Sequence, residues 1–386
     1  MEKDKATKLM RDLLTLMIKK DGSDLFITAG FPPAFKIKGI MTPVMKQALS
    51  PNDAKAMTQC IMNDKQLKEF EATKECNFAV APPGIGRFRC NAFVQQGCNG
   101  LVARAITSEI PNFDKLNLPQ ILKQVITQKN GLIIVVGGTG SGKSTTMAAM
   151  IDHRNETSKG HIITLEDPIE YVHPHKNCVV MQREVGVDTE SWEAALHNTL
   201  RQAPDVILLG EIRSAEIMDF AMEFAQTGHL AMATLHANNA NQALDRIVGF
   251  FPVEKQKKLF ADLSLNLRAV ISQRLVKTQS GGRRAAIEIL LNSPLIAELI
   301  MNQDVGGIKE IMKKSRELGM QTFDQALFDL YEEHHISLET ALQNADSVNE
   351  LRLTIKLQSK ESKGRDPMAD LDHLSFKEET EDTSVR

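Results

Sequence analysis

Gly137-Gly138-Thr139-Gly140-Ser141-Gly142-Lys143-Ser144 follows the apolar run Leu132-Ile-Ile-Val-Val136 and opens into Thr145-Thr-Met-Ala-Ala-Met150. This succession of strand, glycine-rich turn and helix constrains the chain more than any other feature, because the eight residues satisfy Gly-x4-Gly-Lys-Ser in the context that pattern requires. Backbone N–H groups of such a loop wrap phosphate oxygens at a helix N-terminus, where the peptide dipoles favour an anion. Lys143 then supplies a point charge to the outer phosphates, the Ser144 hydroxyl is a Mg2+ ligand, and Thr145 completes the nucleotide-binding set. The competing explanation, a glycine-rich surface turn with a lysine, does not account for strand, loop and helix standing in register.

Around this loop the chain alternates short apolar runs with helical stretches, as a parallel sheet covered on both faces does. Four runs carry the pattern: Leu132–Val136, His161–Leu165, Val206–Leu209 and Leu230–Thr234. Each ends in a loop with a charged or imidazole side chain, and ligands of open α/β sheets bind outside the carboxyl ends of the strands. Two of these loops offer the carboxylates that phosphoryl transfer needs to position Mg2+ and water. Glu166-Asp167-Pro168-Ile169-Glu170 makes Glu166 the candidate general base, with Pro168 stopping the strand. Asp205-Val-Ile-Leu-Leu-Gly210-Glu211 carries Gly-Glu where Asp-Glu is usual, and Glu211 would hold Mg2+ through water. The spacing alone leaves open which glutamate is the base. The competing readings are a solvated acidic turn for the first loop and an interdomain ion pair of Glu211 with Arg213 for the second. His229 and His236 flank the last strand at opposite ends, too far apart to share a metal ion. His236, at the carboxyl end, is the candidate γ-phosphate sensor, His229 a structural histidine, and His173-Pro174-His175 a solvated loop.

At 386 residues the chain exceeds what one core serves well, so two globular units and a tail are expected. Residues 1–110 mix a helical opening with short strands and read as a small α/β domain, with Pro82–Gly86 as a hairpin loop. Residues 111–119, bounded by prolines, read as a linker, 120–358 as the nucleotide-binding domain, and 359–386 as a charged disordered tail. Beyond Gly249 the pattern is helical, broken at Gly281-Gly282, with another helix around Thr322–Tyr331. Five cysteines without a Cys-x-x-Cys pair argue against a disulfide framework or zinc knuckle. A net charge of −3 disfavours a dedicated nucleic-acid binder. No apolar stretch approaches the ~20 residues that span a bilayer, and no secretory signal opens the chain, so a cytoplasmic protein is expected.

In this order, the loop at 137–144, Ile163–Glu170, Asp205–Arg213 and Thr227–His236 resemble the Walker A, Asp box, Walker B and His box of the secretion-type motor ATPases. The resemblance is nearest to the type IV pilus retraction ATPase family, with its PilT and PilU branches. Gly22-Ser-Asp-Leu25, Arg87–Phe93 and Gly319-Met-Gln-Thr-Phe-Asp324 are similar to further family segments. The resemblance implies a PAS-like first domain, a RecA-like second domain, ATP and Mg2+ as ligands, and a hexameric ring at the cytoplasmic face of the inner membrane, with a platform protein and a PilT-type ATPase as partners. It also implies that arginines of the first domain complete hydrolysis sites, with Arg89 and Arg104 as the matching positions and Arg87 less so; without it, each is a surface strand residue. Two departures sharpen the expectation. The paired-cysteine metal element of pilus-assembly relatives is missing, which favours retraction. Leu295-Ile-Ala-Glu-Leu-Ile300 stands where PilT carries Ala-Ile-Arg-Asn-Leu, which with the charged tail points to the PilU branch and an accessory role. A secretion or assembly ATPase, a nucleic-acid translocase and a nucleotide-gated ring without turnover are the alternatives.

Overall fold

The computed structural model describes residues 2–106 and 109–359; the expected tail at 360–386 lies outside the described residues. By their contacts the residues fall into two compact units, the first comprising Met1–Val135, Lys143–Leu235 and Asn266–Arg268, the second Val136–Gly142, His236–Leu265 and the described residues from Ala269 onward.

The first unit begins with a PAS-like α/β fold. Helix α1 (Lys3–Lys19) buries Ala6, Met10, Leu13, Leu14 and Met17, the spacing of one helical face. Strands β1 (Gly22–Ile27), β2 (Ala34–Ile37) and β3 (Ile40–Pro43) precede helices α2 (Pro51–Gln59) and α3 (Asp64–Thr73), each with a side-chain N-cap. Then come β4 (Glu75–Val80), β5 (Arg87–Gln95) and β6 (Cys98–Ile106), giving a six-stranded sheet in the order β3-β2-β1-β6-β5-β4. Its core face buries Leu25, Phe35, Phe78, Phe88 and Cys90 with α1. The expected hairpin at 82–86 is present, because β4 and β5 pair antiparallel across it.

Residues 111–119, expected as a linker, hold α4 (Phe113–Leu116), capped by Asn112, with Phe113 and Leu118 buried. After α5 (Ile121–Ile126) and β7 (Gly131–Val136), α6 (Lys143–Thr157) leads to β8 (Gly160–Glu166), β9 (Cys178–Glu184), α7 (Trp192–Thr199), β10 (Val206–Leu209), α8 (Ala215–Gln226) and β11 (Leu230–Leu235). These strands lie in the order β7-β11-β10-β8-β9, and β11-β10-β8-β9 are parallel. All four expected apolar runs are strands, and β7, β10 and β11 are buried along their whole length. Burial on both faces explains why the runs are continuous rather than alternating.

The second unit holds the loop Val136–Gly142, α9 (Ala240–Gly249) and α10 (Val253–Asn266). Here the structure corrects the sequence reading. The stretch expected to be helical contains β12 (Leu267–Lys277) and β13 (Arg283–Leu291), antiparallel and in register from Ala269↔Leu291 to Lys277↔Arg283. Gly281-Gly282 is their turn, with Gly281 at φ 88. The centres of both strands are buried on both faces, which erases the two-residue alternation that separates strand from helix in a sequence. Helices α11 (Pro294–Met301), α12 (Val305–Lys314), α13 (Phe323–Glu332), α14 (Leu338–Asn344) and α15 (Val348–Gln358) follow. The expected helix near 322–331 is α13, started by a capping box of Thr322 and Gln325.

Candidate active site

In the first unit the parallel register sets Leu165, Leu209 and Ala233 side by side, so the residues that follow them share one edge of the sheet. That places Glu166, Gly210-Glu211 and Thr234 together. Gly210 N–H donates to the Leu165 carbonyl at 2.8 Å and the Gly210 carbonyl accepts from the Thr234 hydroxyl, tying the three strand ends. A Cβ at residue 210 would stand 3.3 Å from both the Glu166 Cα and the Leu165 carbonyl oxygen. Glycine stands where aspartate is usual, at a place where a side chain would make the ends of β8 and β10 part by a few tenths of an ångström.

Glu166 accepts hydrogen bonds from the Thr164 hydroxyl at 2.7 Å and the Gln182 amide at 3.1 Å. Burial pushes its carboxyl up from the usual range, and the two hydrogen bonds oppose that rise. A raised proton affinity is what a general base uses. Glu211 pairs with Arg213 within one unit rather than between domains as weighed from the sequence: Arg213 Nε donates to it at 2.8 Å while Arg213 Nη1 reaches Asp167 at 3.2 Å. One guanidinium therefore spans the two acid loops. Lys143, the first residue of α6, has its pKa lowered by burial, against the pull of Glu211 and Glu170. Lys143, Glu170 and Glu211 are thus brought into electrostatic reach of one another. The Thr145 hydroxyl lies 2.9 Å from the Tyr171 hydroxyl.

In the second unit the loop Gly137–Gly142 has Gly137, Gly140 and Gly142 at φ 156, 75 and 89, conformations a residue with a Cβ adopts at a cost. A Cβ on Gly138 or Gly140 would meet no atom within 4 Å, so that side of the loop faces open space. The Ser141 hydroxyl is buried with no hydrogen-bond partner. Gly137 and Gly138 share a cavity of ≈ 560 Å³ with His236, Asn238, Asp245 and Arg246. Glycine Cα positions that face open space, the Ser141 hydroxyl and the Arg246 side chain fit a polyphosphate, with Asp245 also on the lining. Among the described residues no group of three or more His, Cys, Asp or Glu side chains could hold a metal ion. In the first unit, the Ser144 hydroxyl and, through water, Glu211 would hold a Mg2+ together with the oxygens of a bound nucleotide, the sparse protein ligation usual for this ion.

The arginines lie on β5 and β6. Arg89 and Arg104 are register partners, and Arg104 Nε donates at 2.7 Å to Asp24, a buried acid on β1 that the Ser23 hydroxyl also reaches. The Arg104 side chain stays 68% exposed, so the pair holds one edge of its guanidinium and leaves the rest of the side chain at the surface. Arg87 is engaged within its own unit, 3.4 Å from Glu184 and 3.5 Å from Asp188. His229 is structural, its Nδ1 3.0 Å from the Thr227 hydroxyl and 3.2 Å from the Phe224 carbonyl. His173 departs from the expected solvated loop: it is buried, and burial pushes its pKa down to about 4. The sequence reading missed Gln182 and Tyr171, whose partners Glu166 and Thr145 are remote in the chain, and Asp245 and Arg246, which meet the glycine loop only as lining of the same cavity.

The fold and these loops define a RecA-like P-loop ATPase domain preceded by a PAS-like domain. A family model described as type II/IV secretion system protein matches residues 2–335. The chain is 56% identical over 364 residues to the type IV pilus ATPase PilU of Pseudomonas aeruginosa, spanning 94% of this chain and 93% of that protein. It is 42% identical over 334 residues to the type IV pilus retractation ATPase PilT of the same organism, spanning 86% and 97%. A crystal structure of the pilus retraction motor PilT with bound ADP matches with a TM-score of 0.83 at 40% identity, covering 89% of this chain and 98% of that one. The chain belongs to the type II/IV secretion system protein family, among its type IV pilus ATPases of the PilT and PilU kind.

Proposed function

We propose that the protein hydrolyses ATP as a subunit of a hexameric ring that drives type IV pilus retraction, and that it serves as the accessory, PilU-type motor beside a PilT-type ATPase. The observation that carries this reading is the shared sheet edge on which Glu166 and Glu211 leave parallel neighbouring strands, with Lys143 in electrostatic reach of Glu211. The 56% identity to PilU against 42% to PilT supports the accessory branch.

In this mechanism the loop 137–142 cradles the phosphates with backbone N–H groups, and Lys143 neutralises charge on the outer ones. Mg2+, held by Ser144 and Glu211, would screen the charge that develops on the phosphate oxygens. Glu166, its pKa raised by burial, takes the proton of the attacking water. Arg213 restrains Glu211 and Asp167, and its release from either acid is a means of coupling nucleotide state to the two loops. His236 senses the γ-phosphate, and Arg89 and Arg104 act on the site of a neighbouring subunit, where a desolvated guanidinium stabilises transition-state charge. Residues 1–110 and 120–358 move as bodies about 111–119. Among the described residues no helix is long and apolar enough to cross a membrane; attachment to the inner membrane would come through the pilus platform protein.

Two measurements test this. Phosphate release should fall to background in Lys143→Ala and strongly in Glu211→Ala; equal release by both and the wild type refutes hydrolysis here. Mass measurement with and without ATP, alone and mixed with a PilT-type paralogue, should show a six-membered assembly, and a monomer throughout refutes the ring.

A further inference from the structure

Three consecutive residues of β12, outside the four motif segments, reach both walls of the cavity at the glycine loop. Gln273 is 3% exposed, and its side-chain amide donates to the Ser141 carbonyl at 2.8 Å. Its neighbours project to the other face of the strand, as alternation requires. The Ser272 hydroxyl donates at 3.0 Å to Glu288, which accepts the Ala240 N–H at 2.7 Å where α9 begins. Arg274 donates to the Asn238 carbonyl at 3.1 Å and to Asp346 at 2.6 Å, and its guanidinium lies 3.9 Å from the Phe323 ring centroid. One wall therefore hangs on Gln273, and the wall that carries His236 and Asn238 hangs on Ser272 and Arg274.

Resting on the ATPase reading above, we propose that Gln273 is a positioning residue for the nucleotide, aiming the Gly142 N–H at the phosphates. The peptide joining Ser141 to Gly142 is planar and trans, so its C=O and N–H point to opposite sides. Gln273 draws the Ser141 carbonyl toward β12, which turns the Gly142 N–H away from β12. The fit is close enough to demand glycine: a Cβ on Gly142 would stand 2.8 Å from the Gln273 amide nitrogen, and one on Gly137 2.5 Å from the Gln273 backbone oxygen. Without the amide, the buried Ser141 carbonyl has reason to rotate toward water, swinging the N–H out of line.

The test compares wild type with Gln273→Met, which keeps the length and loses the amide. ADP affinity by calorimetry should fall about 3- to 10-fold, as for one well-placed hydrogen bond, with KM for ATP rising similarly and kcat within about twofold. The melting temperature without nucleotide should fall by no more than about 6 °C, because the thioether fills the same volume and one hydrogen bond is lost. Wild-type ADP affinity in this variant overturns the proposal, as does a kcat loss with KM unchanged. Should Gln273→Met not fold, Gln273→Asn decides in the same way, since its amide stops one methylene short. A wild type that itself binds no ADP sinks the ATPase reading instead.

Discussion

Replacing Gly210 by alanine tests the tight joint between the two acid loops. The new Cβ would stand 3.3 Å from the Glu166 Cα and the Leu165 carbonyl oxygen and 3.7 Å from the Asp167 nitrogen, all backbone atoms that no rotamer change can move. Comfortable carbon contacts are about 3.5–4.0 Å, so the ends of β8 and β10 must part by a few tenths of an ångström. They are held by the 2.8 Å Gly210–Leu165 hydrogen bond, and β8 is also paired to β9 along seven residues. Overpacking of this kind costs about 1–3 kcal/mol, and the lower chain entropy of unfolded alanine returns roughly 0.4–1 kcal/mol. A net loss of about 1–2 kcal/mol lowers the melting temperature by about 2–8 °C for a cooperative unit of roughly 200 residues. Glu166 shifts with its Cα, so ATP turnover falls further than stability accounts for. Gly210→Asp, which restores the acid usual at this place, suffers the same contact and gains no activity. Circular-dichroism melts with Gly138→Ala as control, where no atom lies within 4 Å, read the effect. A Gly210→Ala protein that melts at or above the wild type refutes the reasoning.

If Arg89 and Arg104 act on a neighbouring subunit, mixing Lys143→Ala with the double variant Arg89→Ala/Arg104→Ala should give phosphate release above either alone; no gain at any ratio counts against action in trans. Burial makes protonation of His173 costly to the folded state. Its folded pKa is depressed to about 4 from 6.5 by burial, with Asp152 raising and Lys176 lowering it. The unfolded chain therefore binds the proton first as pH falls, and stability is lost between pH 6.5 and about 4, by roughly 2 kcal/mol at pH 5. Urea melts at pH 7.5 and 5 should show that loss in the wild type and a smaller one in His173→Gln. Glu288 is raised by burial, so its contribution runs the other way: stability falls as pH rises through the interval between its unfolded and folded values. Glu288→Gln, which still accepts the Ala240 N–H, should flatten that fall, and identical pH profiles would show that burial does not hold the group up.

The nucleotide loop, the four buried strands and the acids that follow them were legible in the residues alone. Each is a local pattern: β7, the glycines and α6 are contiguous, and a strand buried on both faces leaves a continuous apolar run. The hairpin β12–β13 was not legible, because the same double burial leaves a run that a buried helix could equally produce. Nor was His173, whose place in the interior rather than in a solvated loop depends on packing between distant segments. Sequence also supplied Glu211 and Arg213 two residues apart, but the reach of Arg213 to Asp167 exists only because β8 and β10 are neighbours in the sheet. The glycine at 210 looked like a departure from pattern, and only the structure shows the neighbouring strand end 3.3 Å from where its Cβ would stand. Gln273 is the extreme case, lying 132 positions from the carbonyl that it holds. Local chain chemistry determined that a glycine-rich loop would join β7 to α6. Which side chains brace and neutralise it was decided by the register of strands far apart in sequence, since hydrogen bonds and tight contacts act over a few ångströms whatever the chain length between them.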